Sequence, residues 1–147
     1  MDYRKYGDCY YIRADRSDKL IATILGVCRR EGIRSATFSG IGGCKEAQIE
    51  VFDAGKGTFE CERVEGLLEL VCLTGNVIED AQGEPAFHAH ALFAYRDDAG
   101  QQRIAAGHLK ETTVLYTAEI ELQPIVGGTI KGERNLETGT DFWSFAD

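Results

Sequence analysis

Only one stretch of this chain carries apolar residues at helical spacing, and that limits the possible folds more than any other feature. Leu20, Ile21, Ile24, Leu25, Val27 and Cys28 recur at intervals of three and four, with Lys19, Arg29 and Arg30 off that stripe. The polar run Ala14-Asp15-Arg16-Ser17-Asp18 has the chemistry of a turn into a helix, with Ser17 as N-cap, and Gly32 is a natural stop. The spacing predicts one amphipathic helix of about three or four turns, preceded by a strand over residues 9–13.

After Gly32 the pattern turns to β. Residues 35–41 are β-branched and aromatic, Gly42-Gly43 breaks the run, and 47–53 resumes it before the turn Ala54-Gly55-Lys56-Gly57. Further strands are predicted over 58–64, 67–78, 87–96, 101–109 and 112–123, with a loop at 79–85. One helix among many short strands predicts the α+β class. That is a single domain with one main helix packed on a mostly antiparallel, twisted β-sheet.

Composition narrows the function. The chain has 147 residues, 44% of them apolar, which suits one core. Its longest apolar run, 67–73, is interrupted by Glu69 and is too short to span a bilayer. The N-terminus has no apolar segment behind its charges, so no secretory signal is expected and the protein is placed in the cytoplasm. Five cysteines at 9, 28, 44, 61 and 72 form no CxxC pair and are expected to be reduced and mostly buried. Asp and Glu outnumber Lys and Arg by 24 to 16, for a net charge of -8. A nucleic-acid binder ordinarily shows a basic patch. The densest basic group, Arg29, Arg30 and Arg34, sits at the predicted helix end, where cations complement the helix dipole.

All three histidines, His88, His90 and His108, fall within 21 residues of one another. His88 and His90 are two apart in a predicted strand, so both leave one face with Cα atoms roughly 6.5 to 7 Å apart. Asp98-Ala99-Gly100 reads as a three-residue hairpin loop with Gly100 left-handed. Counting outward from it sets His90 opposite His108, whereas a two-residue loop would send His108 to the other face. Three imidazoles with an open fourth position suit a catalytic-type zinc site, although nickel, iron and copper also accept imidazole. The alternative is a locally hydrogen-bonded or proton-sensitive cluster. Glu69 is a candidate general base or outer acceptor for a ligating histidine, or else a solvent-facing residue of an alternating strand. Lys110 either orients an anionic substrate or faces solvent.

Phe87-His88-Ala89-His90 and Gly107-His108-Leu109 resemble the HxH and GHL motifs of the prokaryotic PPC domain, the "plants and prokaryotes conserved" domain. Ser39-Gly40-Ile41-Gly42 resembles its SGIG turn, and GLLELVCLTG at 66–75 its glycine-led strand ending in LTG. The resemblance spans residues 8–123 and leaves 124–147 as a C-terminal tail, Gly- and charge-rich up to Phe142, Trp143 and Phe145. That tail either docks its aromatics on the body or a neighbouring subunit, or is disordered.

The resemblance implies a homotrimer with the three histidines as metal ligands, and a DNA-binding or regulatory role by family. In plants an AT-hook accompanies the domain and carries the DNA contact. This chain has no Arg-Gly-Arg-Pro hook, and Leu67 stands where the plant version has an arginine. The expected function is a trimeric metal-binding assembly or regulatory module that reaches DNA through partners. The alternative is a metal-dependent enzyme, hydrolase- or lyase-like, acting on a small molecule.

Overall fold

The β-period segments after the helix merge into four long strands. The computed structural model describes residues 1–134, 136 and 141–145. In chain order the elements are β1 (Asp2–Tyr6), β2 (Cys9–Asp15), α1 (Leu20–Glu31), β3 (Ala36–Asp53), β4 (Thr58–Glu79), β5 (Pro85–Arg96), β6 (Gln102–Pro124), β7 (Lys131–Arg134) and β8 (Asp141–Ser144). Gly42-Gly43, expected to break a strand, lies inside β3 next to shifts of register against β4 and β6. The bulges bend the strand without ending it. One helix on a mostly antiparallel sheet is the α+β arrangement read from the sequence.

β3 pairs with β4, β4 with β5, β5 with β6, and β6 back to β3, all antiparallel, so these four strands close a ring of pairings. β2 extends the sheet beside β6, and β1 beside β2. The helix packs on β2, β5 and β6. Its stripe of Leu20, Ile21, Ile24, Val27 and Cys28 is buried together with Phe93, Leu68, Leu70, Leu73 and Leu109. Each such side chain contributes roughly 1.5 to 3 kcal/mol by leaving water.

Ser17 is not the helix N-cap. It sits in the preceding turn with φ +74°, and Lys19 occupies the cap position without a capping hydrogen bond from its side chain. The free N–H groups are satisfied from a distance. The Glu111 carboxylate on β6 accepts from Ile21 N at 2.9 Å and Ala22 N at 3.2 Å, placing negative charge where the helix dipole favours it. β1 escaped the sequence reading because it is an almost wholly exposed edge strand with no apolar alternation. It is tied down by Tyr3, whose hydroxyl donates to Glu31 at 2.7 Å. The thiols are free and mostly buried, as expected: Cys9, Cys28 and Cys44 are buried, and Cys61 and Cys72 exposed.

The first part of the tail is anchored to the body. Buried Ser35 donates its hydroxyl to Ile130 O at 3.0 Å and accepts from Ile130 N at 2.8 Å, and Glu79 N donates to Ile130 O at 3.1 Å. β7 then pairs parallel with β4 at Lys131, and β8 folds back antiparallel on β7. No helix among the described residues is long and apolar enough to cross a membrane.

Candidate metal centre

The site is built on the β5–β6 hairpin. His88 and His90 alternate with buried Ala89 and Ala91, so their rings project from the outer face of β5. The loop has three residues. Asp97 N donates to Gln101 O at 2.9 Å, Gly100 N to Asp97 O at 2.8 Å, and Gly100 takes φ +73°. The Asp97 carboxylate accepts from the backbone N–H of Ala99 and Gln101, and the Gln101 bond above all lowers its pKa. That turn pairs Arg96 with Gln102 and, six positions on, His90 with His108. Gly107 is needed for the last step: it has φ +156°, and a Cβ there would lie 2.6 Å from Glu50 O on β3. Without a side chain, β6 can close against β3 and present His108 toward β5.

The ring nitrogens converge. His88 Nε2 lies 3.1 Å from His108 Nδ1 and 3.3 Å from His90 Nε2, and one ligand atom from each residue falls within 4.8 Å of the others. Zinc–imidazole bonds of about 2.0 to 2.1 Å in a tetrahedron place neighbouring nitrogens about 3.3 Å apart. The donor set and its spacing therefore fit a tetrahedral ion with three protein ligands.

Burial and neighbouring charge favour the ligating form of His88 and His108. Desolvation, followed by the charge of His90, lowers the pKa of His88. His108 is lowered by desolvation first, then by His90 and His88, against a smaller opposing effect of Glu50. Neutral imidazole, which carries the lone pair a metal needs, is thereby favoured. Phe59 meets His108 edge-on with ring centroids 5.1 Å apart, and Phe52 backs Phe59 at 5.3 Å. The tip of the β3–β4 hairpin thus flanks the His108 ring.

Of the other candidates, Glu69 lies elsewhere and Lys110 lies beside His108. Glu69 pairs with Gly43 and Ala94 on the outer face and lines a hollow with Leu67, Arg96 and Gln102, away from the residues around the histidines. Lys110 ion-pairs with Glu50 at 3.4 Å. Glu50 itself faces His108 across β3 and β6. On β4, Thr74 pairs with His90 and Asn76 with His88. The segment expected as a loop at 79–85 is a second three-residue hairpin turn, with Asp80 N donating to Glu84 O at 2.9 Å, Gly83 N to Asp80 O at 3.0 Å and Gly83 at φ +82°, and an outward count from it reaches these β4 residues.

A protein with one helix, a sheet closed on itself and three convergent histidines on an outer face is a defined class. The Plants and Prokaryotes Conserved (PCC) domain matches residues 1–126, and the chain belongs to that family. The fold is similar to a plant- and prokaryote-conserved (PPC) protein of Pyrococcus horikoshii, 31% identical over 99% of this chain and 96% of that one, TM-score 0.80. It is similar to a "putative DNA-binding protein" of Ralstonia eutropha JMP134, at 26% identity over 98% and 96% of the two chains, TM-score 0.84. A metal-containing protein of Archaeoglobus fulgidus is 25% identical over 98% and 99%, TM-score 0.82. No curated protein matches the chain.

Proposed function

We propose that the protein is a homotrimeric metal-binding module in which His88, His90 and His108 hold one divalent ion per chain, zinc by preference. The observation that carries this reading is the spacing of the ring nitrogens, 3.1 and 3.3 Å, against about 3.3 Å for tetrahedral zinc. The metal-containing relative supports it. A bound ion would supply Lewis acidity at an open fourth position. The chain's own part is to hold three rings in register through the Asp97–Gly100 turn and the close approach at Gly107.

The trimer is supported by an apolar patch on the outer face. Register places Gly43, Glu69, Ala94 and Ile104 in one row across β3, β4, β5 and β6. Around that row Ile41, Leu67, Val71, Ile104 and Tyr116 are each more than half exposed. A contiguous surface of this kind marks a protein interface. Glu69 then belongs to that surface rather than to the metal.

DNA association, by this reading, runs through partner proteins in the cytoplasm. The net charge is -8, and two members of the basic group are engaged within the fold, Arg34 with Glu79 at 3.1 Å and Arg30 over the Tyr3 ring. A second reading, a hydrolase- or lyase-like metal enzyme, is favoured by the cavity beside His88 and His90. Cobalt(II) titration of the metal-stripped, untagged protein tests the site. Saturable uptake with the visible spectrum of a tetrahedral centre, lost in His108→Ala, is expected; no saturable uptake would refute the proposal.

A further inference from the structure

The cavity beside the histidines has a volume of about 300 Å³, enough for a small ring compound. Its walls are Thr37 on β3, Thr74 and Asn76 on β4, His88 and His90 on β5, and Trp143 on β8. None of these side chains carries a fixed charge, so the chamber selects against ions except at the histidines themselves. The Asn76 Oδ1 is buried and finds no donor among the described residues. A buried carbonyl oxygen favours a ligand that brings an N–H or O–H to it. Opposite stands the indole of Trp143, the only tryptophan of the chain. It is 43% exposed, and Phe145 lies edge-on to it with ring centroids 6.2 Å apart. An exposed indole is a stacking platform for a flat ring.

We propose that this cavity binds a small uncharged nitrogen heterocycle, a free nucleobase in class. With the Asn76 amide turned toward the cavity, the edge of the base donates to Oδ1, its face lies on Trp143, and Thr37 and Thr74 offer hydroxyls to the remaining edge. The C-terminal hairpin is thereby a wall of the site, held in place by the two hydrogen bonds between Ser35 and Ile130. The inference shares His88 and His90 with the metal reading, but the recognition it assigns belongs to Asn76 and Trp143.

Trp143, as the sole tryptophan, is a built-in reporter. The full chain, stripped of metal and separately loaded with zinc, is titrated with uracil and with adenine while tryptophan emission is read; methyl glucoside and inorganic phosphate serve as contrasts. At least one base should change the emission saturably, with half-saturation below ~1 mM, and bind ~10-fold more weakly to Asn76→Ala. Ser35→Ala, which removes the hairpin's anchor, should blunt the emission change while keeping the metal content of the unaltered protein. It keeps the test decisive if Asn76→Ala does not fold. The proposal is overturned if neither base alters emission, if only the glucoside or phosphate does, or if both variants respond like the unaltered chain. A base response in protein that takes up no zinc removes the metal reading and leaves this one. Stoichiometric zinc without any base response does the reverse.

Discussion

Two polar clusters share strand β6, and they are finished in opposite ways. Glu46, where β3 shifts register, accepts from the Thr113 hydroxyl, from Lys19 at 3.0 Å and from Arg63 at 2.6 Å. Its backbone carbonyl takes the Thr112 hydroxyl at 2.7 Å. Led by the Thr113 bond, these contacts lower its pKa to about 2. The cluster closes on itself and joins the entry to α1 with β3, β4 and β6. The three histidines, on β5 and farther along β6, have one another as ring-nitrogen partners, with Phe59 against the side of His108. A polar group whose partners are all supplied by the chain holds the fold together. Donors that converge mainly on one another are arranged for something brought from outside.

The sharpest way to break this comparison is to remove one member of each cluster. His108→Ala is expected to weaken metal uptake by about 100-fold or more, with little change in thermal unfolding of the metal-free protein; calorimetric titration and melting measure the two. The outer patch gives the next effect. Ile104→Glu should convert the trimer to monomers of unchanged circular dichroism, read by light scattering after size exclusion, because a buried unpaired carboxylate is not tolerated at an apolar contact. A mass unchanged from that of the unaltered protein would remove the patch from the interface.

Effects on stability are smaller. Glu111→Ala leaves the first N–H groups of α1 without their acceptor and is expected to cost about 2 kcal/mol in urea unfolding. Glu46→Gln should cost about 1 kcal/mol at neutral pH, and it also sharpens the comparison through pH. The Glu46 carboxyl titrates near the ordinary glutamate value of 4.5 when unfolded and at about 2 when folded. The unfolded state therefore binds the proton first. The stabilisation is fully present above pH 4.5 and is lost as pH falls toward 2. Unfolding at successive pH values should show the unaltered chain losing more stability than Glu46→Gln across that window; parallel curves would contradict the assignment.

How much of this could be read from the sequence depended on whether the deciding contact was local. The helix followed from its own apolar stripe. The pairing of His90 with His108 followed from a three-residue loop, since counting outward from a tight turn fixes both register and face. Ser17 misled because the group that satisfies the helix N-terminus comes from Glu111, ninety residues away from Ile21. Glu69 drew attention as a lone acid in an apolar strand, yet strand pairing sends it to the outer patch. Asn76 is within reach of the same count, since the Asp80–Gly83 turn is as tight as the Asp97–Gly100 one although Pro85 and Glu84 disguise it as an open loop. Trp143 lies beyond the tail, where no count carries over, and only the assembled sheet brings it beside His88.

Elemental analysis of untagged protein, purified without chelator and again after incubation with zinc and dialysis, tests the central claim most directly. About one equivalent of a divalent metal per chain, falling to background in His88→Ala, is the predicted result. Less than about a tenth of an equivalent after zinc loading, or equal metal in the variant, would contradict it.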